Sequence, residues 1–214
     1  MDEIQKGIFD KQRFVPEPEK VFGTDDSQTY EWYMKGASRC LPVARIGKEV
    51  SKGIGTGFLL EGEHLHKSLK GELVLLTNAH VVTDDKTDRK ALRPEEALIT
   101  FEVLGIQDPF TPLIDLFYTS PFQELDVTVL RFAKEDNERL RNKLAEKKIE
   151  LFPISEKKFS ADGKERLYII GHPAGGTLQL SLQDNELLDY EKQLLHYRTP
   201  TTGGSSGSPV FDND

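Results

Sequence analysis

At 214 residues, with 37% hydrophobic and 30% charged residues, the chain carries enough apolar material for one large domain or two small ones. A formal net charge of −8 at pH 7 excludes a broadly basic, nucleic-acid-binding surface and leaves room only for a local basic patch. Cys40 is the only cysteine, so no intrachain disulfide can form; there is also no apolar segment behind Met1 and no long apolar run, so neither signal peptide nor membrane span is expected and the compartment is expected to be cytoplasmic.

Residues 1–26 are polar and contain Pro16 and Pro18, which predicts an extended arm. Asp26 or Ser27 is placed to cap a short helix through Tyr30, Trp32, Tyr33 and Met34, whose aromatic rings are expected to pack on the segment after it. Strands are predicted at 43–46, at 53–60 with glycines at its start, and at 73–82, the last two joined by a polar hairpin. A charged connection over 83–97, with one helical turn after Pro94, leads to strands at 98–104, 113–118 and 125–132. Residues 134–148, rich in Glu, Lys, Arg and Leu, predict a surface helix. Beyond it lie short strands near 150–154, 166–171, 177–183 and 193–199, with Gly-rich turns between them. Short strands at even spacing with one linking helix point to an all-β fold of paired antiparallel barrels and not to a parallel α/β sheet. The expected organisation is an arm and short helix over 1–36, a first barrel over 37–133, the linking helix over 134–149 and a second barrel over 150–214.

The tract Thr201-Thr202-Gly203-Gly204-Ser205-Ser206-Gly207-Ser208-Pro209-Val210-Phe211 reads as a tight turn feeding a strand. Such a turn exposes one hydroxyl and aims backbone N–H groups at the same point, which is what a nucleophile and an oxyanion hole require. A serine hydroxyl needs a base. His80 ends an apolar run within Thr77-Asn78-Ala79-His80, and Asp126 sits between Leu125 and Val127 at the mouth of another strand. A carboxylate beside that imidazole would accept Nδ1–H, fix the tautomer and stabilise the imidazolium formed when Nε2 takes the serine proton. Asp115 is the competing carboxylate. The order His80, Asp126, Ser206 differs from the Ser, acid, His order of α/β-hydrolases, and the serine lacks the final Gly of a Gly-x-Ser-x-Gly elbow.

Four blocks, Gly55-Thr56-Gly57-Phe58, Thr77-Asn78-Ala79-His80-Val81-Val82, Leu125-Asp126-Val127-Thr128-Val129-Leu130 and Gly204-Ser205-Ser206-Gly207-Ser208-Pro209-Val210-Phe211, resemble those of chymotrypsin-like serine peptidases, in the same order. More narrowly, Val21-Phe22-Gly23-Thr24-Asp25-Asp26, Ile170-Gly171-His172-Pro173-Ala174-Gly175-Gly176, Asp184-Asn185 and His196-Tyr197-Arg198-Thr199-Pro200-Thr201 are similar to bacterial intracellular trypsin-like peptidase domains found beside signalling and conflict-system modules. The resemblance implies a chymotrypsin-like double β-barrel and an endopeptidase acting on polypeptides through an acyl-enzyme, with no metal or other cofactor. It implies Ser206 as nucleophile, His80 as general base and then acid, Asp126 as orienting carboxylate, the N–H groups of Gly204 and Ser206 as oxyanion hole, and Pro200 and Thr201 as substrate-binding residues.

Two departures from the family pattern stand out. Secreted members switch on when a new N-terminus pairs with an Asp just before the nucleophile, and Ser205 stands there instead. The family also continues for two more strands beyond its serine, whereas this sequence ends at Asp214, so the second barrel is expected to be completed by a continuation or a partner, and the activating trigger is expected to be a partner that orders the oxyanion loop. No acidic residue occupies the expected pocket floor, which leaves glutamyl-endopeptidase-like specificity open; a catalytically silent interaction module is the alternative outside the enzymes.

The other signals read as structural. His64 and His66 alternate on a polar hairpin without a third metal ligand. Gly53-Ile54-Gly55-Thr56-Gly57 leads into a strand where a dinucleotide site needs a helix. His172 lies in a Gly-His-Pro turn, and Cys40 is expected to be a buried apolar residue.

Overall fold

The computed structural model describes residues 29–106, 108–113, 115–151, 154–155, 165–182, 185–191, 194–199 and 201–212. The expected arm over 1–26 and the caps Asp26 and Ser27 lie outside them. Two compact units make up the chain, Met1–Met34 and Lys35–Asp214, and the second holds all the β-structure described. The fold is mostly β, with two α-helices among the described residues.

Helix α1 (Tyr30–Arg39) begins at Thr29, whose hydroxyl accepts the Trp32 N–H at 3.1 Å and so caps the first turn. Tyr30 and Tyr33 are exposed, contrary to the expected packing of the aromatic face. The polar ends of the two phenols make that position in water inexpensive.

The first half is a six-stranded antiparallel sheet built from β1 (Val43–Gly47), β2 (Gly55–Glu61), β3 (Leu73–Thr77), β4 (Leu98–Thr100), β5 (Tyr118–Ser120) and β6 (Val127–Arg131), in the order β4-β1-β2-β3-β6-β5. Leu59 opposes Leu75, and Leu75 in turn opposes Leu130, so one face carries a row of fully buried leucines. Each such side chain contributes about 1.5–3 kcal/mol by leaving water. The core continues through Ile46, Ile99, Phe101 and Phe110, with Phe110 edge-on to both Phe101 and Phe132. Beyond the sheet order, Phe110 exchanges backbone bonds with Ile99 at 2.8 Å, and the Leu113 N–H donates to the Arg131 carbonyl at 2.8 Å.

Helix α2 (Lys134–Lys147) matches the expected linking helix and presses Leu140 and Leu144 into the same core. Its Asn137 amide accepts from Leu73 N–H at 2.9 Å and donates to Leu73 C=O at 3.0 Å, standing in for a strand partner. Arg141 adds a two-pronged pair to Glu61. Lys148, at φ 55°, ends the helix in the left-handed region, where its N–H reaches back to Leu144 and Ala145.

The second half comprises β7 (Tyr168–Gly171), β8 (Gln179–Ser181), β9 (Leu187–Glu191), β10 (Leu194–Tyr197) and β11 (Val210–Phe211), arranged as a sheet β11-β7-β8 and a hairpin β9-β10. Strand β9 is not expected from the sequence, and no strand forms at the described residues of 150–154. Cys40, Val43 and Ile170, with Phe58, Leu178 and Phe211, form the apolar seam that joins the two halves. The Cys40 thiol is 6% exposed and lies 3.6 Å from the Gly36 carbonyl, and burial pushes it up to about 11. Iodoacetamide at about pH 8 should therefore leave the folded protein unmodified by intact mass and add one group after denaturation. Alkylation of the native protein at the denatured rate would contradict this burial.

Candidate active site

The strand expected to run to Val82 ends at Thr77. Asn78 turns the chain instead: its carbonyl accepts the N–H groups of Val81 (3.1 Å) and Val82 (3.2 Å). His80 thus sits on a turn between two anchored ends, with Val81 and Val82 buried below it. An apolar run of this length serves a buried turn as well as a strand, and periodicity does not separate them.

The Asn78 side chain has a second task. Its Nδ2 donates to the Asp126 carbonyl at 2.7 Å, and the Asp126 N–H donates to the Pro121 carbonyl at 3.1 Å. These bonds hold Asp126 at φ 50°, a left-handed conformation that costs an L-residue about 1–2 kcal/mol and that Asp tolerates better than most. So placed, its carboxylate meets His80 at two points: Oδ2 lies 2.7 Å from Nδ1, and Oδ1 accepts the His80 backbone N–H at 3.1 Å. The carboxylate is 17% exposed and the imidazole 38%, so the pair is shielded on the carboxylate side while the far edge of the ring stays accessible. Phe122 packs edge-on to that ring at 6.0 Å. With Nδ1 engaged, Nε2 is the nitrogen free to exchange a proton. Asp115, the other candidate carboxylate, is exposed.

Asp126 and Ser206 both line a cleft of about 480 Å³ between the halves, with Leu76, Ile169, Tyr197 and Thr201 among its other walls. Among the described residues no hydrogen bond joins Ser206 to His80, and His80 does not line the cleft. Pro200 lies outside the described residues.

The turn that carries Ser206 is held by backbone bonds at four points. Ser205 N–H donates to Thr202 C=O at 3.0 Å, Ser208 N–H to Ser205 C=O at 3.0 Å, Thr56 N–H to Ser206 C=O at 2.7 Å, and Ala174 N–H to Gly203 C=O at 2.5 Å. Gly204 (φ 95°) and Gly207 (φ 84°) take left-handed values that suit glycine. Space forbids anything else: a Cβ on Gly207 would collide with the Thr56 carbonyl, and one on Gly204 with the Gly175 nitrogen and, at 2.6 Å, the His172 carbonyl. Among the described residues neither the Gly204 nor the Ser206 N–H has an acceptor, so both remain free to bind an oxyanion.

His172, expected to be structural, is fully buried in a turn against Gly203 and Gly204, with Nδ1 2.9 Å from the Gly176 carbonyl and no partner for Nε2 among the described residues. That pattern fits a neutral ring, since a charged one would carry an Nε2–H with nothing to receive it. Burial pushes the imidazole below its ordinary 6.5, the Gly176 bond opposes this, and Arg45 lowers it further against the pull of Glu102. As pH falls through that ordinary value the unfolded chain takes up the proton first, so this group stabilises the fold above it and the contribution is lost as acid is added. The melting temperature should drop from about pH 7.5 to about pH 5, and less steeply for His172→Asn. Equal slopes for the two proteins would assign the acid sensitivity elsewhere.

Of the alternating His64 and His66, the His66 ring caps a short turn by accepting the Ser68 N–H at 3.2 Å. His196 is exposed. Sequence reasoning missed the roles of Asn78, Phe122 and the Thr56 side chain. The first and last stand inside recognisable motifs, but their partners are remote in sequence.

Residues 55–214 match the model of the trypsin-like peptidase domain, which covers well over half of the chain. A search of curated protein sequences returns no match. Among solved structures, the serine endoprotease from Yersinia pestis superposes with a TM-score of 0.51 at 13% identity, covering 88% of this chain, while this chain spans 55% of that one. The Rv3671c protease from M. tuberculosis in its active form gives a TM-score of 0.48 at 15% identity, covering 93% of this chain and 79% of that one. Its inactive form gives 0.48 at 15% identity, with 83% and 72% covered. At 13% identity the Yersinia likeness bears on the fold alone. The family match, which begins at the Gly55-Thr56-Gly57 block and includes the His80, Asp126 and Ser206 blocks, agrees with the resemblance read from the sequence. This chain belongs to the trypsin-like peptidase domain family and is a serine protease.

Proposed function

We propose that the chain hydrolyses peptide bonds through an acyl-enzyme, with Ser206 as nucleophile, His80 as the base that takes its proton and returns it to the leaving amine, and Asp126 as the carboxylate that orients His80. The N–H groups of Gly204 and Ser206 form the oxyanion hole. The observation that carries this reading is the two-point hold of Asp126 on His80, at 2.7 Å and 3.1 Å, beside a cleft that Asp126 and Ser206 share. A carboxylate so placed keeps the imidazole in the tautomer whose Nε2 is bare, and that nitrogen must accept the serine proton.

In this reading the six-stranded sheet of the first half closes into a barrel, supported by the bonds from Phe110 to Ile99 and from Leu113 to Arg131. Residues 37–133 and 150–214 are its two β halves, and 134–149 the link. No Lys, Arg or His lines the cleft among the described residues, so an uncharged substrate side chain suits it better than an acidic one. The protein works in a reducing compartment, on the strength of its single cysteine, and a partner raises its basal activity by drawing His80 and Ser206 into closer hydrogen-bond contact.

A fluorophosphonate probe tests this directly. The wild-type chain should be labelled and Ser206→Ala should not. An unlabelled wild type would favour a silent interaction module.

A further inference from the structure

We propose that Thr56 is the positioning residue of the nucleophile turn, its hydroxyl and its backbone N–H together fixing the segment from Gly204 to Ser206. The inference rests on the reading of Gly204 and Ser206 as oxyanion hole and nucleophile.

Thr56 is fully buried on β2, and its hydroxyl has both of its roles filled: it donates to the Gly204 carbonyl at 2.9 Å and accepts the His172 N–H at 3.0 Å. Its own N–H donates to the Ser206 carbonyl at 2.7 Å. Two carbonyls are thereby pinned to one residue, and the segment between them carries the Ser206 N–H and the Ser206 side chain. Because the peptide unit is planar, holding the Gly204 carbonyl also fixes the Ser205 N–H on its far side, which meets Thr202. With that plane set, the two backbone angles of Gly204, its φ being 95°, decide where the Gly204 N–H points.

Thr56 is itself braced. The Thr77 hydroxyl donates to its carbonyl at 2.7 Å. The His172 turn, on the other side of the hydroxyl, is fastened by Arg45, which bonds the Gly176 carbonyl and Glu102, each at 2.9 Å. The same turn receives the Gly203 carbonyl on the Ala174 N–H. Thr56 is therefore the point at which the first half of the fold holds the turn that the second half presents. A buried threonine in a strand needs one hydrogen bond to be satisfied. This one makes two to backbone groups 116 and 148 residues away, both belonging to the site.

The test compares Thr56→Ser, which keeps the hydroxyl, with Thr56→Val, which keeps the shape, measuring fluorophosphonate labelling rate, peptide turnover and thermal melting on the same samples. Thr56→Ser should react at the wild-type rate. Thr56→Val should react about ten- to a hundredfold more slowly, with the loss in kcat and not in KM, as expected when reacting groups are misplaced by a fraction of an ångström. If Thr56→Val does not melt cooperatively, Thr56→Cys, a weak donor of similar size, carries the comparison and should be slower than Thr56→Ser. The proposal is overturned if the hydroxyl-free variant reacts as wild type, if Ser loses as much as Val, or, where Cys carries the comparison, if Cys equals Ser. A wild-type chain that the probe never labels overturns the reading of Ser206, and the proposal with it. Labelling that needs Ser206 but ignores residue 56 overturns the proposal alone.

Discussion

Ser206→Ala should lower peptide turnover by about 10⁶, and His80→Ala by about 10⁴ to 10⁶, with melting temperatures close to wild type. A factor of 10⁶ corresponds to about 8 kcal/mol of transition-state stabilisation. The reason for so large an effect is that, in the proposed mechanism, the serine hydroxyl and the imidazole act as one unit. The hydroxyl is a poor nucleophile until Nε2 removes its proton, and the imidazole has nothing to deliver once the hydroxyl is gone. The double variant should therefore be scarcely worse than either single one. Stability should change little, because the half-buried Ser206 side chain has no hydrogen bond among the described residues and His80 keeps one edge accessible. Single losses that multiply in the double variant would mean that the two residues contribute separately.

Gly204→Ala should cost about 10² to 10³ in kcat with a much smaller change in KM. At φ 95° an alanine is strained, and its Cβ would meet the Gly175 nitrogen and the His172 carbonyl. Relief requires rotation of the peptide that carries the Gly204 N–H, so in the proposed mechanism the oxyanion loses one of its two donors. The Gly204 carbonyl would also pull away from Thr56, which leaves a buried hydroxyl short of a partner. Assays with an ester substrate and with a peptide should show the same fold loss, since both pass through a tetrahedral oxyanion. Near-normal kcat in Gly204→Ala would remove this N–H from the mechanism.

The elements built from alternating or continuous apolar residues are legible in the sequence. The strands over 43–47, 55–61 and 127–131 and the helix over 134–147 lie close to where periodicity and charge put them. The errors have physical causes. Val81 and Val82 extend the apolar run of β3, but they are buried by a turn that Asn78 closes, so the strand stops five residues early. Strand β9 escapes a reading of periodicity because Leu187-Leu188-Asp189-Tyr190-Glu191 does not alternate cleanly; what holds it is its pairing with β10.

The same division runs through the site. Residue types and their order point to His80, Asp126 and Ser206 and rank Asp115 behind Asp126, but give no structural reason for that ranking. That reason is a left-handed φ at Asp126, held by Asn78 from 48 residues away. Thr56 stands in plain view between two glycines, but both partners of its hydroxyl lie in the other half of the fold. Such bonds leave no local trace in a sequence.

Peptide mapping of the fluorophosphonate adduct, with the rate measured in wild type and in His80→Ala, bears most directly on the claim that His80 activates Ser206 across the cleft. The adduct should lie on Ser206 and form orders of magnitude more slowly in His80→Ala. An adduct on any other residue, or labelling of Ser206 at an unchanged rate without the imidazole, would contradict the account.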